Sequence, residues 1–344
     1  MVTSRVENES YLHLDNDFFN EELNKVICSI LPQFDKMAKA YLTFNLVFLL
    51  LAFVEAVTFI VFFATLAQSS LLAFSLAVIF LTIFSYFILR MYLQAKRPEQ
   101  FINFRDRYLR GCKNLINYRE GIPEHHIALA HACNKLATKL EGREYLYYHP
   151  PQILDAVAPS VEKFSCWWFW EDLLQMRELL LNGSIEEHLK LVKCEPTSLD
   201  IHAALANAYV ILSSLYLDPA KRGRESDDRW VPEDRYTAEM EKKFRETAER
   251  AIEEFEILND YAPNDPWVHM QLAYSYHDLQ MPKEEIREYE HIRRLRPDDK
   301  EVLFKLGCLY FQQGFNAEGL KIYEELKRSH YAKAEALIAH YGNE

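Results

Sequence analysis

The chain has 344 residues, a formal charge of −12 and 49% hydrophobic residues. That is room for a soluble domain of about 200 residues beside something else. So acidic a chain does not suit nucleic acid, which needs a basic footprint.

The charge is spread unevenly. Residues 90–120 hold eight basic and three acidic side chains, whereas residues 121–344 hold 27 and 40. Residues 1–40 read as an N-terminal cytoplasmic segment with one amphipathic helix. From Asp17, Phe19, Leu23, Val26, Ile27 and Ile30 share a face, and Pro32 is predicted to stop or kink the helix. The opposite face is acidic, which favours packing on soluble elements over lying on a bilayer.

Residues 41–93 carry two apolar runs, 42–66 and 71–89, separated by Gln68-Ser69-Ser70. A helix of about 20 apolar residues crosses a hydrocarbon core of about 30 Å, so the pattern predicts a two-span transmembrane hairpin. Arg90, Lys96, Arg97, Arg105, Arg107, Arg110, Lys113 and Arg119 follow it, and Lys36 and Lys39 precede it. Positive charge flanking spans marks the cytoplasmic side, so both termini are expected there. The same block would attract anionic lipid of the bilayer. Glu55 is the only charge in the spans, and a turn centred near Gln68 sets it opposite Leu81 and Thr82. A carboxyl at that depth is either a proton or ion site, a contact between hairpins, or the partner of Thr82 or Ser85 within one hairpin. Ala52 and Ala56, and Ala73 and Ala77, are spaced for close helix approach, which would allow a homo-oligomer through the hairpin.

Residues 94–165 read as a juxtamembrane helical region. A helix is predicted over 99–118, a break at Gly121-Ile122-Pro123, a second helix over 124–140, and an aromatic loop over 145–151. His125, His126 and His131 include no i, i+4 pair, so no metal is expected. The six cysteines are scattered without a CxxC, which suggests free thiols in a reducing compartment. No cofactor or catalytic constellation is expected; a Cys308–His277 pair is conceivable, but a buried structural thiol is commoner. Four consecutive aromatics, Trp167 to Trp170, point all around a helix, so some must meet a neighbour, a membrane interface or a partner. Asn182-Gly183 is predicted to be a turn, with a short helix over 185–194.

From Pro196 onward the chain repeats itself. Leu205-Ala206-Asn207-Ala208-Tyr209, Leu272-Ala273-Tyr274-Ser275-Tyr276 and Leu306-Gly307-Cys308-Leu309-Tyr310 align, with Pro196, Pro263 and Pro297 ten residues before each small residue. The last two segments are 34 residues apart, as are Ala251, Glu285 and Gly319 and, separately, Phe255, Tyr289 and Tyr323. This pattern resembles the tetratricopeptide repeat (TPR), a helix-turn-helix unit with Leu-Gly/Ala-x-x-Tyr in its first helix. The likeness covers about 199–330, with a degenerate unit at 166–196 and an insertion at about 218–250. Residues 166–344 are thus expected to be a TPR-like repeat domain, closed by a terminal helix over 330–340.

The resemblance implies that first helices line a groove for a peptide segment or helix of a partner protein. On matching positions that groove would comprise Asn207, Trp267, Met270, Tyr274, His277, Phe304, Lys305 and Phe311. Asn207 and Lys305 match a carboxylate clamp seen in some members, but Ala203 and Glu301 stand where lysines are expected. The sequence therefore predicts an all-α protein: a two-span transmembrane hairpin followed by an α-helical TPR-like solenoid, a non-enzymatic interaction scaffold at a bacterial inner membrane. The hairpin also resembles the bilobed segment of chlamydial inclusion-membrane proteins, which would display the domain on a host vacuole membrane. A transport-associated subunit using Glu55 is the third expectation.

Overall fold

The structure, a computed structural model, describes residues 16–66, 71–148, 157–217 and 230–341. The Gln68-Ser69-Ser70 turn, the end of the aromatic loop at 149–151 and the charged stretch 218–229 of the insertion lie outside the described residues. The fold is all-α: two long apolar helices, then a helical solenoid. The described helices are α1 (Asn16–Val61), α2 (Phe63–Leu66), α3 (Leu71–Leu115), α4 (Pro123–Leu140), α5 (Ala158–Cys194), α6 (Leu199–Tyr216), α7 (Ala238–Tyr261), α8 (Pro266–Asp278), α9 (Pro282–Leu295), α10 (Lys300–Gln312), α11 (Asn316–Arg328) and α12 (Ala334–Ile338). They fall into two compact units, which divide α5 at Gly183 and Ser184.

The first unit is built on α1 and α3, helices of 46 and 45 residues packed on each other. One stripe at three- and four-residue spacing runs down α1. Its lower part, Phe19, Leu23, Ile27, Ile30, Phe34 and Ala38, is buried. The Phe34 ring lies 6.2 Å from Phe101 and 5.5 Å from Phe104 of α3, and Tyr108 donates to the Ala132 carbonyl of α4 at 2.8 Å. In the upper part the stripe becomes polar. Thr82 donates to Glu55 Oε1 at 2.7 Å, Tyr86 donates to Asn45 Oδ1 at 2.8 Å, and Arg90 donates to the Tyr86 hydroxyl at 3.1 Å. Outside the stripe, Leu46, Leu50, Phe53 and Ile60 of α1 and Phe74, Phe80 and Phe84 of α3 are exposed. Among the described residues, α1 and α3 are the two helices long and apolar enough to cross a membrane, by length and composition.

Two expectations are corrected here. Pro32 does not end its helix, and Pro98 likewise sits inside α3. Both prolines are exposed, so the missing hydrogen bond falls on the outer face while Phe34 and Phe101 pack inside. Asn182-Gly183 is not a turn, because α5 runs unbroken from Ala158 to Cys194 and no helix pair forms at 166–196. Leu180, Leu181 and Ile185 are buried around Gly183, and that burial outweighs the cost of about 1 kcal/mol for a mid-helix glycine. Of the paired alanines, Ala52 is half-buried, while Ala56, Ala73 and Ala77 are exposed.

The second unit stacks helix pairs: α6 with α7, α8 with α9 and α10 with α11, each pair also packing on the next. α8 and α10 start 34 residues apart, as do α9 and α11. The insertion lies between α6 and α7, and the Thr237 side chain caps α7 by accepting from the Met240 N–H at 3.4 Å. The predicted terminal helix is only the short α12, whose Leu337 is buried; a Cβ on Gly307 would lie 2.8 Å from its Cδ2.

The turns of the second and third pairs share one device. Gly314 and Gln280, also 34 residues apart, both take left-handed backbone, at φ 74° and φ 57°. The Phe315 N–H then reaches the Tyr310 carbonyl at 2.8 Å and the Met281 N–H reaches the Tyr276 carbonyl at 2.9 Å, as in a Schellman cap. A second device ties the first helices of the first two pairs to the loops before them. His202 Nε2 is 3.0 Å from the Pro196 carbonyl and its Nδ1 is 2.6 Å from Glu254. His269 repeats this with the Pro263 carbonyl at 3.0 Å and Glu288 at 2.7 Å.

Left-handed backbone costs a non-glycine residue about 1 kcal/mol or more. Gln280→Gly in the detergent-solubilised full chain is therefore expected to raise the midpoint of thermal unfolding slightly, and an unchanged or lower midpoint would contradict this account. His202 supplies a pH test. Burial opposes its charge, but the bonds from Glu254 and the Pro196 carbonyl outweigh it and hold its pKa above the ordinary value. A raised histidine pKa means stability fully present below about pH 6.5 and lost as pH rises through the folded value. The melting midpoint should fall between about pH 6 and pH 8, and His202→Gln should flatten that part of the profile.

Candidate functional site

The face expected to bind a partner is built by α6, α8 and α10, the first helices of the three pairs. Within each helix, leucine and small residues face the second helix, and the residues about a third of a turn away face outward. Tyr274 and Lys305 meet on this outer face. Both are exposed. The Lys305 Nζ sits 4.8 Å from the Tyr274 ring centroid and 3.4 Å from its hydroxyl, a cation–π contact between neighbouring repeats. His277 is exposed at the C-terminal end of α8.

The remaining predicted residues are less free. Asn207 is half-buried on α6. Trp267 is half-buried with its ring 6.1 Å from Phe255, edge to face. Met270 and Phe304 pack partly against the core around Leu306, and Phe304 lies 6.3 Å from Tyr331. Phe311 departs from the expectation altogether: it is 3% exposed and belongs to the core. Gly319 makes room for it, since a Cβ there would lie 2.5 Å from the Phe311 ring, and Tyr341 covers it at 5.6 Å.

The equivalent position one repeat earlier is His277, facing Glu285 where the third repeat has Gly319. His277 Nδ1 lies 3.1 Å from Glu285 Oε1, and Glu285 is itself buried. The hydrogen bond that His277 donates to Glu285 is the main cause holding the His277 pKa above its ordinary value. Phe311 on Gly319 and His277 on Glu285 thus solve one packing position in two ways. Sequence reasoning missed both pairs. It also missed the two histidine clamps of the fold, although Pro196/His202 and Pro263/His269 share the 67-residue offset of the repeats themselves.

Burial pushes the Cys308 thiol up to about 11, so it is protonated at neutral pH. The N-terminal histidines separate: His125 Nδ1 accepts from the Arg119 N–H at 2.9 Å, His126 packs on Tyr118 at 5.8 Å, and His131 Nε2 lies 3.1 Å from Asn20 Oδ1. Among the described residues no group of three or more His, Cys, Asp or Glu could hold a metal ion.

No family model and no curated protein matches the chain. Among solved structures it is similar to the crystal structure of a thermophilic TPR protein in Thermus thermophilus. The two are 17% identical, the match covers 63% of this chain and 92% of that one, and the TM-score is 0.31. The repeat assignment rests on the chain's own 34-residue geometry.

Substitutions separate the outer face from the core. Phe311→Ala is expected to cost about 3–5 kcal/mol of folding stability, as a buried aromatic does, while Tyr274→Ala and Lys305→Ala should stay within about 0.5 kcal/mol. Chemical denaturation of the four proteins would show it. Equal losses at Phe311 and Tyr274 would put Tyr274 in the core instead.

Proposed function

We propose that this chain is a membrane-anchored scaffold that presents a TPR-type protein-binding face to the cytoplasm. The observation that carries the binding role is the Tyr274–Lys305 pair, an aromatic–cation patch kept outward on adjacent first helices while their leucines are buried. Tyrosine is among the side chains enriched in binding hot spots, and a tyrosine paired with a lysine suits a peptide or helix with acidic and apolar side chains. His277, Met270, Phe304 and Asn207 border the patch. Phe311 is not part of it.

Membrane anchoring is supported by the exposed apolar side chains on the upper halves of α1 and α3, which no other described element covers. In this reading the lipid bilayer covers them, both termini are cytoplasmic, and the membrane is a bacterial inner membrane. Glu55 and Thr82 then satisfy each other inside one hairpin, which removes the need for an ion pathway at Glu55.

Affinity capture from the native membrane with the full chain as bait tests the scaffold. Partners retained by the unmodified chain should be lost with Tyr274→Ala combined with Lys305→Glu, while the melting midpoint stays the same. Retention of every partner would show that this face is not the binding site. Reporter fusions at Met1 and Glu344 should agree on the cytoplasmic side, and opposite sides would exclude the hairpin topology.

A further inference from the structure

The four aromatics that open α5 divide between two environments. Phe169 and Trp170 are buried, and the Phe169 ring packs at 4.3 Å on Tyr147. Trp167 is 44% exposed and Phe164 is 45% exposed, with Val157 exposed further up the helix. Trp168 lies between them, half-buried. The rings of Phe164, Trp167 and Trp168 lie 5.9 to 6.4 Å from one another, so the outward side chains form one patch.

The height of this patch along the hairpin follows from its contacts. The Trp168 ring is 6.1 Å from Tyr41 of α1, and the Arg97 guanidinium of α3 sits 4.5 Å from the same tyrosine ring. Arg97 also pairs with Asp172, one turn beyond Trp168 on α5. These contacts tie the start of α5 to both long helices at one level. Apart from Phe18 in its first turn, the exposed large apolar side chains of α1 begin at Leu46. Tyr41 is five residues before it, about 7.5 Å along the axis at about 1.5 Å per residue. A headgroup layer occupies about 5–7 Å on each side of a hydrocarbon core of about 30 Å, which sets Tyr41 at the outer edge of such a layer. Trp168 therefore stands at the headgroup layer of any bilayer that covers α1 and α3.

The direction of α5 puts the rest of the patch on the membrane side of that level. Fifteen residues after Trp168, Gly183 faces Cys133 of α4, whose neighbour Ala132 accepts from Tyr108. Tyr108 is eleven residues from Arg97 on the side away from the apolar run. α5 thus runs away from the spans as the chain proceeds, and Trp167 and Phe164 lie toward them. Tryptophan beside phenylalanine and a basic side chain, here Lys163, is the composition that partitions to membrane interfaces.

We propose that the N-terminal turns of α5 form an aromatic foot, Phe164, Trp167 and Trp168, that inserts into the headgroup layer beside the hairpin as a third membrane contact. The proposal rests on the reading of α1 and α3 as spans. Its occupant is the bilayer itself, because the foot is continuous with the exposed apolar band and is fixed to it through Tyr41 and Arg97.

The test uses the full chain reconstituted into vesicles of phosphatidylcholine and phosphatidylglycerol carrying lipids brominated near the headgroup. Tryptophan emission should be quenched, and Trp167→Phe combined with Trp168→Phe should remove most of that quenching, while Trp267→Phe should leave it in place. Both substitutions keep an aromatic ring, at exposed Trp167 and half-buried Trp168, so circular dichroism and flotation of the variant should match the unmodified chain. A chain that floats with the vesicles yet loses no quenching in the double variant overturns the foot alone, and leaves that face to a protein partner. A chain that does not float overturns the spans and the foot together.

Discussion

The stripe along which α1 and α3 pack changes character without changing phase. Below Leu42 it is large, apolar and covered on its other sides; above it holds Asn45, Glu55, Thr82 and Tyr86. Where water is present, burial of side chains such as Phe34 and Tyr108 holds the helices together. Where other described elements no longer cover the pair, side-chain hydrogen bonds join apolar contacts such as Phe48 on Tyr86 at 5.6 Å. In hydrocarbon, two apolar helices gain little by excluding lipid from each other, and interhelical hydrogen bonds and close packing supply the association. On the proposed reading of α1 and α3 as spans, one helical phase serves two solvents, and the chemistry on that phase switches at the boundary between them.

That continuity also explains why the elements around the hairpin are placed as they are. A helix pair without an interruption is a fixed post, and α4 and the first part of α5 attach to it through specific contacts, Tyr108 to Ala132 and Arg97 to Asp172. Burial pushes the Asp172 carboxyl up to about 7, against the pull of Arg97. The geometry argues for an ion pair and the burial argues against the charge. The direct contact favours the ion pair as the working state, at a desolvation cost typical of buried charges.

Much of this architecture was legible in the sequence because it depends on spacing. A 34-residue period fixes where pairs of helices start, and two apolar runs separated by a few residues fix a hairpin. The facing of Glu55 and Thr82 follows from the turn centre alone. What was not legible depends on burial that sequence punctuation does not record. Pro32 and Gly183 read as breaks, yet each sits where neighbouring side chains are packed on the inner face and the helix continues. Phe311 read as a groove residue because its repeat position faces outward elsewhere. At the end of the stack α12 and Tyr341 close over it, and Gly319 opens a space beneath it. The clamps at His202 and His269 lay in plain view at the repeat offset, but a lone histidine on a helix face carries no signal until its carbonyl partner is known.

The paired solutions at one repeat position have a consequence for how such a stack can change over time. A ring at 311 leaves no room for any side chain at 319, whereas one repeat earlier Glu285 fills the matching position and bonds His277. Changing one member of either pair alone strands a buried carboxylate or forces a collision. The two helices of a repeat are therefore bound to drift together at this point, and a duplicated unit that acquires one member of the pair without the other becomes the weak link of the array. The polar solution and the apolar one differ in a further respect: the histidine pair can respond to the acidity of its surroundings, whereas the ring on glycine cannot. Neighbouring copies of one ancestral motif have thus become unequal in what they can sense.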